Sequence, residues 1–214
     1  MGFFGLFSFK TAVKPVRVLF FGDSITEAAV IPGGYIVQMR TLLAGQNRAD
    51  SFELIGSGIG GNKVYDLYLR LEADVLERKP DVVFIYVGVN DVWHKRTSGT
   101  GTDADQFRQF YAALIRKIQA GGSRMILCTP ACIGEKADCT NALDGDLNHY
   151  ADIIRSLSRQ FQTGLCDLRQ DFANYWAEHN STNLESGVLT TDGVHLNALG
   201  NQLVAETMLA ELGK

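Results

Sequence analysis

Some of what this chain lacks limits what it does. Its four cysteines, Cys128, Cys132, Cys139 and Cys166, form no C-x-x-C pair and no cysteine/histidine spacing suited to a metal. Clustered Lys and Arg are missing and the formal charge is -4, which argues against a nucleic-acid footprint. No internal repeat, low-complexity tract or charge block is present. The apolar run Gly2 to Phe9 has only eight residues, too short to span a bilayer. No basic residue precedes that run and no small-residue cleavage site follows, so it makes a poor signal peptide. Leu6 stands where a myristoylation signal wants Ser or Thr. The expectations are a cytoplasmic protein with reduced thiols, no stable membrane insertion, and an apolar arm over residues 1–15 that packs on the domain or on a partner. The sequence leaves the oligomeric state open.

What is present is ordinary for a globular chain. Apolar residues make up 46% and charged residues 21% of 214 positions, enough for one domain over 16–214 with a substantial core. Apolar-rich runs predict strands at Val16–Phe21, Phe52–Ile55, Val82–Val87, Met125–Cys128 and Leu165–Leu168, the strongest being the charge-free Val82–Val87. Helical spacing predicts helices over Tyr35–Leu43 and Val64–Leu76. A third carries Phe107 to Ile118, a fourth Leu147 to Phe161, and a closing one Leu199 to Met208. Strands alternating with helices mean an α/β fold with a parallel sheet and helices on both faces.

In such sheets ligands bind beyond the carboxyl ends of the strands. The residues found there are Gly22-Asp23-Ser24, then Gly60-Gly61-Asn62, then Gly88-Val89-Asn90-Asp91, with Asp192 and His195 just before the last helix. Together they supply what nucleophilic acyl transfer needs. Ser24 is the nucleophile candidate and His195 the base, since imidazole titrates near neutrality. Asp192, three residues earlier, is the acceptor for the second ring nitrogen. A developing oxyanion needs donors already in place, and the Ser24 N–H, a bare glycine N–H and the Asn90 amide are candidates. Gly60 and Gly61 both qualify on the residues alone.

Each residue taken singly reads blandly, Ser24 as a cap and Asp192-Gly193 as a turn. Their joint order carries the argument. The segments "FGDSIT", "GIGGN", "GVND" and "DGVHL" resemble, in order, the four blocks of the SGNH hydrolases, also called the GDSL esterase/lipase family. The resemblance covers about Val16 to Leu212. It implies a flavodoxin-like three-layer α/β/α sandwich with a five-stranded parallel sheet. It also implies a Ser24–His195–Asp192 triad, an oxyanion hole of Ser24, Gly61 and Asn90, and no metal or organic cofactor. The first block reads G-D-S-I rather than G-D-S-L, a volume-conserving change. No G-x-S-x-G elbow is present.

The expected activity is serine esterase action on small acyl esters, acetyl or another short chain, with a small-molecule or carbohydrate partner. Lysophospholipase, thioesterase and a non-catalytic binding module on the same fold are the alternatives. A metal hydrolase would need more ligands than Asp192 and His195. Asp23, Trp93 and His94 are candidates to line the substrate, and Asp23 also braces the turn. Asp91 reads as a cap or supporting acceptor. Residues 92–103 read as a mobile loop at the mouth of the site. No long apolar lid segment is visible, which favours short acyl chains over triglycerides.

Overall fold

The computed structural model describes residues 14–214; the apolar arm expected over residues 1–15 lies almost wholly outside the described residues. Five strands form one parallel sheet in the order β2-β1-β3-β4-β5. They are β1 (Val16–Gly22), β2 (Phe52–Gly58), β3 (Val82–Tyr86), β4 (Arg124–Cys128) and β5 (Gly164–Cys166). The alternation of side chains along each strand divides the core in two. Val18, Phe20, Phe84 and Ile126 face one layer, and Leu19, Phe21, Ile85 and Leu127 face the other.

The first layer is built by α2 (Tyr35–Gly45), α7 (Leu168–His179) and α8 (Ala198–Leu212), the second by α3 (Val64–Leu71), α5 (Ala104–Ala120) and α6 (Asp144–Phe161). The result is the expected three-layer α/β/α arrangement. Two short helices complete it at the carboxyl edge of the sheet, α1 (Ser24–Glu27) and α4 (Val89–Thr97). The strand order reverses direction between β1 and β3, so a crevice opens beyond their carboxyl ends.

Three expectations need correction. The run Leu165–Leu168 is not one strand: β5 ends at Cys166 and Leu168 already begins α7. Leu168, Phe172 and Trp176 recur at helical spacing and are all buried, so packing on the sheet draws this segment into a helix. The segment 92–103 is not a free loop. Helix α4 runs to Thr97, and beyond it the Thr100 N–H donates to the His94 carbonyl and the Thr102 N–H to the Asp91 carbonyl. The helix expected over Val64–Leu76 is regular only to Leu71 and continues as a π turn over Glu72–Leu76.

Candidate active site

Ser24 is delivered by the end of β1. The Asp23 carboxylate caps α1 by accepting from the Ile25 N–H at 3.1 Å, and the Asp23 carbonyl accepts from the Glu27 N–H at 2.9 Å. As the first residue of that helix, Ser24 has an N–H with no intrahelical acceptor. The exit is tight. A side chain at Gly22 would collide with Thr26 and the Tyr86 carbonyl, and one at its sheet partner Gly58 with the backbone of α1.

His195 arrives from the far end of the chain, 171 positions on, and its Nε2 lies 3.1 Å from Ser24 Oγ. Its Nδ1 lies 2.8 Å from Asp192 Oδ2. The other Asp192 oxygen accepts from the N–H groups of Val194 and His195 at 3.0 and 2.8 Å. Partial burial works to raise the Asp192 carboxyl, but these hydrogen bonds from the ring and the backbone outweigh it and hold the group below its ordinary value. Asp192 is therefore charged at neutral pH and accepts only, so Nδ1 carries the proton and Nε2 is left to accept from Ser24.

Gly61 has φ +75°, the region that favours glycine, and among the described residues no acceptor takes its N–H. The adjoining Gly60 faces Ser24, and a Cβ built on it would stand 4.0 Å from the serine Cβ. Asn90, near the start of α4, is buried and donates from Nδ2 to the Asn62 carbonyl at 3.1 Å, which leaves its second amide hydrogen free. Its neighbour Asp91 accepts from the Val64 N–H at 3.2 Å, so it caps α3 from the next strand end. Burial pushes Asp91 up to about 6 despite these bonds and the nearby Lys63 ammonium.

Beside Asp192 lies a cleft of about 360 Å³ whose wall includes Trp93, Ile133, Leu143, Ser186, Asp192 and Gly193. Of the three residues expected to line the substrate, only Trp93 is on this wall. Asp23 is 2% exposed and committed to its cap, so it lies beneath the site. His94 stands next along α4, its ring 5.9 Å from that of Trp93, and is not part of this wall. Partial desolvation and the Lys63 charge both lower its pKa.

Two supporting residues escaped sequence reading. Glu135, fully buried, accepts from the Val188 and Leu189 N–H groups at 2.7 Å each and so fastens the segment that leads to Asp192. Arg70 of α3 donates to the Gly22 carbonyl and to Asn62 Oδ1, both at 2.7 Å. Its spacing to Asp74 was the available signal, but an i,i+4 pair reads as a solvated helix face. Among the described residues no group of three or more His, Cys, Asp or Glu side chains gathers as a metal site would require, and no helix is long and apolar enough to cross a membrane.

A three-layer sheet with a serine, a histidine and an aspartate joined at its carboxyl edge defines a class of hydrolase-like folds, and comparison with known proteins gives the family. The GDSL-like Lipase/Acylhydrolase family profile matches residues 20–203, and the chain belongs to that family. It is similar to a solved acetyl xylan esterase, AlAXEase, with 55% identity and a TM-score of 0.90 over 91% of this chain and 98% of that one. It is 26% identical to an acetylxylan esterase of Geobacillus stearothermophilus, covering 92% of this chain and 94% of that protein. It is 22% identical to an isoamyl acetate-hydrolyzing esterase of Schizosaccharomyces pombe, covering 92% and 75%.

Proposed function

We propose that this protein is a serine esterase that removes short acyl groups, acetyl foremost, from carbohydrate esters. The observation that carries the reading is the hydrogen-bonded line from Ser24 Oγ through His195 to Asp192, at 3.1 and 2.8 Å. Ser24 Oγ bonds to the ester carbonyl carbon while its proton passes to His195 Nε2. The carbonyl oxygen takes the negative charge, and the N–H groups of Ser24 and Gly61 and the Asn90 amide stabilise it. Asp192 stabilises the imidazolium. The C–O bond to the alcohol then breaks and His195 returns the proton to the leaving oxygen. Water attacks the acyl-enzyme by the same route, giving the acid and free Ser24.

The acetyl preference is supported by the relatives, two of which are named for acetylxylan and one for isoamyl acetate. A carbohydrate alcohol is supported by the strength of the match to AlAXEase and by the partly polar cleft beside Asp192, with Trp93 on its wall. The location expected from the sequence, the cytoplasm, belongs to the same proposal; fractionation of the producing cells tests it, and protein found outside the cytoplasm would refute it.

Ser24→Ala is expected to reduce turnover of a chromogenic acetate ester to background, a loss on the order of 10⁶-fold, with the fold unchanged. Retained turnover in that variant refutes the assignment. Acetyl, butyryl and octanoyl esters assayed beside acetylated xylan oligomers test the substrate. The expected order is acetyl above butyryl above octanoyl, with release of acetate from the oligomers. Preference for octanoyl or for a lysophospholipid overturns it.

A further inference from the structure

One side chain bonds to three segments beside Ser24: the ends of β1 and β2 and the loop that carries Gly61. Arg70 is 15% exposed and lies against the inner side of the site, its guanidinium 4.4 Å from the centre of the Phe21 ring. Its Nη2 donates to the carbonyls of Gly22 at 2.7 Å and Ser57 at 3.2 Å. Its Nε donates to Asn62 Oδ1 at 2.7 Å, and its Nη1 to Ser57 Oγ at 3.2 Å and to Asp74. Gly22 lies two residues before Ser24. Asn62 follows Gly61, and its carbonyl holds the Asn90 amide at 3.1 Å.

We propose that Arg70 is a positioning residue for the oxyanion-binding donors, fixing Gly61 and Asn90 relative to Ser24 through Asn62 and Gly22. This rests on the roles proposed above for those three residues. Most acceptors of the guanidinium are neutral groups in the segments around the site, whereas a helix-stabilising pair with Asp74 would need only one of its donors. These bonds draw on all three nitrogens of the guanidinium, whereas lysine offers three donors on a single nitrogen and cannot span the same acceptors. The π turn that follows α3 includes Asp74, which also accepts from Ser57 Oγ at 3.3 Å. Asp74 thereby orients the guanidinium from its outer side. Such turns inside helices are frequent at functional sites.

The test is a kinetic cycle on an aryl acetate with Arg70→Lys, Asn90→Ala, the double variant and Ser24→Ala, each checked for folding by thermal melting. Arg70→Lys is expected to lower kcat by about 10–100-fold, since a displaced donor costs most of what a missing one does. KM should stay within about threefold, because ground-state binding is not the target. The double variant should fall below Asn90→Ala by less than Arg70→Lys costs alone, because part of the arginine's effect acts through Asn90. A folded Arg70→Lys with kcat within about twofold of wild type overturns the proposal. So does a raised KM at unchanged kcat, or losses that multiply in full. If the arginine variants do not fold, Asn62→Ala breaks the Nε link from the other side and keeps the Asn62 carbonyl. The same loss of kcat is expected there, and wild-type kcat overturns the proposal. An inactive Ser24→Ala beside a wild-type-like Arg70→Lys removes this inference alone; an active Ser24→Ala removes the esterase reading with it.

Discussion

At Asp192 the two carboxylate oxygens have separate partners. Oδ1 accepts from two backbone N–H groups and fixes the side chain over its own turn, while Oδ2 faces the His195 ring. Substituting asparagine separates these roles. Its carbonyl oxygen can still take both backbone donors, so the turn persists. Its NH2 then faces Nδ1 and favours the tautomer with the proton on Nε2, where it cannot accept from Ser24. Asp192→Asn is therefore expected to stay folded, with a modestly lower melting temperature at neutral pH from the lost charged hydrogen bonds, and to lose about 10⁴-fold in kcat. Steady-state kinetics with an aryl acetate checks this, and a loss under tenfold would rule out the orienting role.

Among the elements, the segment from Leu184 to Leu196 has the least regular structure near the site, yet it carries Asp192 and His195. Hydrogen bonds to the loop after β4 hold it. The Glu135 N–H donates to the Glu185 carbonyl at 3.0 Å, the Gly134 N–H to the Gly193 carbonyl at 2.8 Å, and the Glu135 carboxylate takes Val188 and Leu189. Glu135→Gln replaces one acceptor with an NH2 that cannot accept, leaving a backbone donor unpaired. The expected cost is about 1–3 kcal/mol. At roughly 2–4 °C per kcal/mol for a chain of this size, thermal melting resolves it. kcat should fall as well, since the base is carried on the loosened segment. An unchanged melting temperature contradicts the clamp. Glu135 also marks where sequence reading ended. The strands were legible because most are short runs rich in apolar and β-branched residues, Val82–Tyr86 without a break, and the sheet rule then located Ser24, Gly61 and Asn90 beyond their ends. Glu135 and Arg70 were not legible because the contacts that tie them to the site include backbone groups 53 and 48 positions away, which no local pattern encodes. Helix α4 was hidden for a related reason: its first turn is held by the burial of Asn90 and Asp91, while the Thr, Ser and Gly that follow read as loop.

For the molecule as a whole, the site lowers stability at neutral pH. Asp23 and Asp91 lie under it with almost no exposure. Burial pushes Asp23 up to about 7, with the neighbouring Asp91 adding to the rise and the Ile25 N–H opposing it. Asp91, also raised by burial, reaches about 6. Both start from an ordinary value of 3.8. Between about pH 4 and pH 7 the native state therefore holds protons that the unfolded chain has released, and stability falls as pH rises through that window. Asp192 and Asp167 act the other way: their lowered values add stability above the ordinary carboxylate range, and it is lost as pH falls below it. The contribution of Asp23 and Asp91 to stability is accordingly greatest near the low end of the window and shrinks toward neutrality. Asp23→Asn keeps an oxygen for the Ile25 N–H and removes the buried charge. It should raise the melting temperature slightly at pH 4.5 and considerably more at pH 7.5, where the gain corresponds to at most about 4 kcal/mol. Calorimetry of both proteins across this range measures the difference. A shift of equal size at both pH values would show that Asp23 does not titrate there, and that the carboxylate beneath Ser24 is charged throughout.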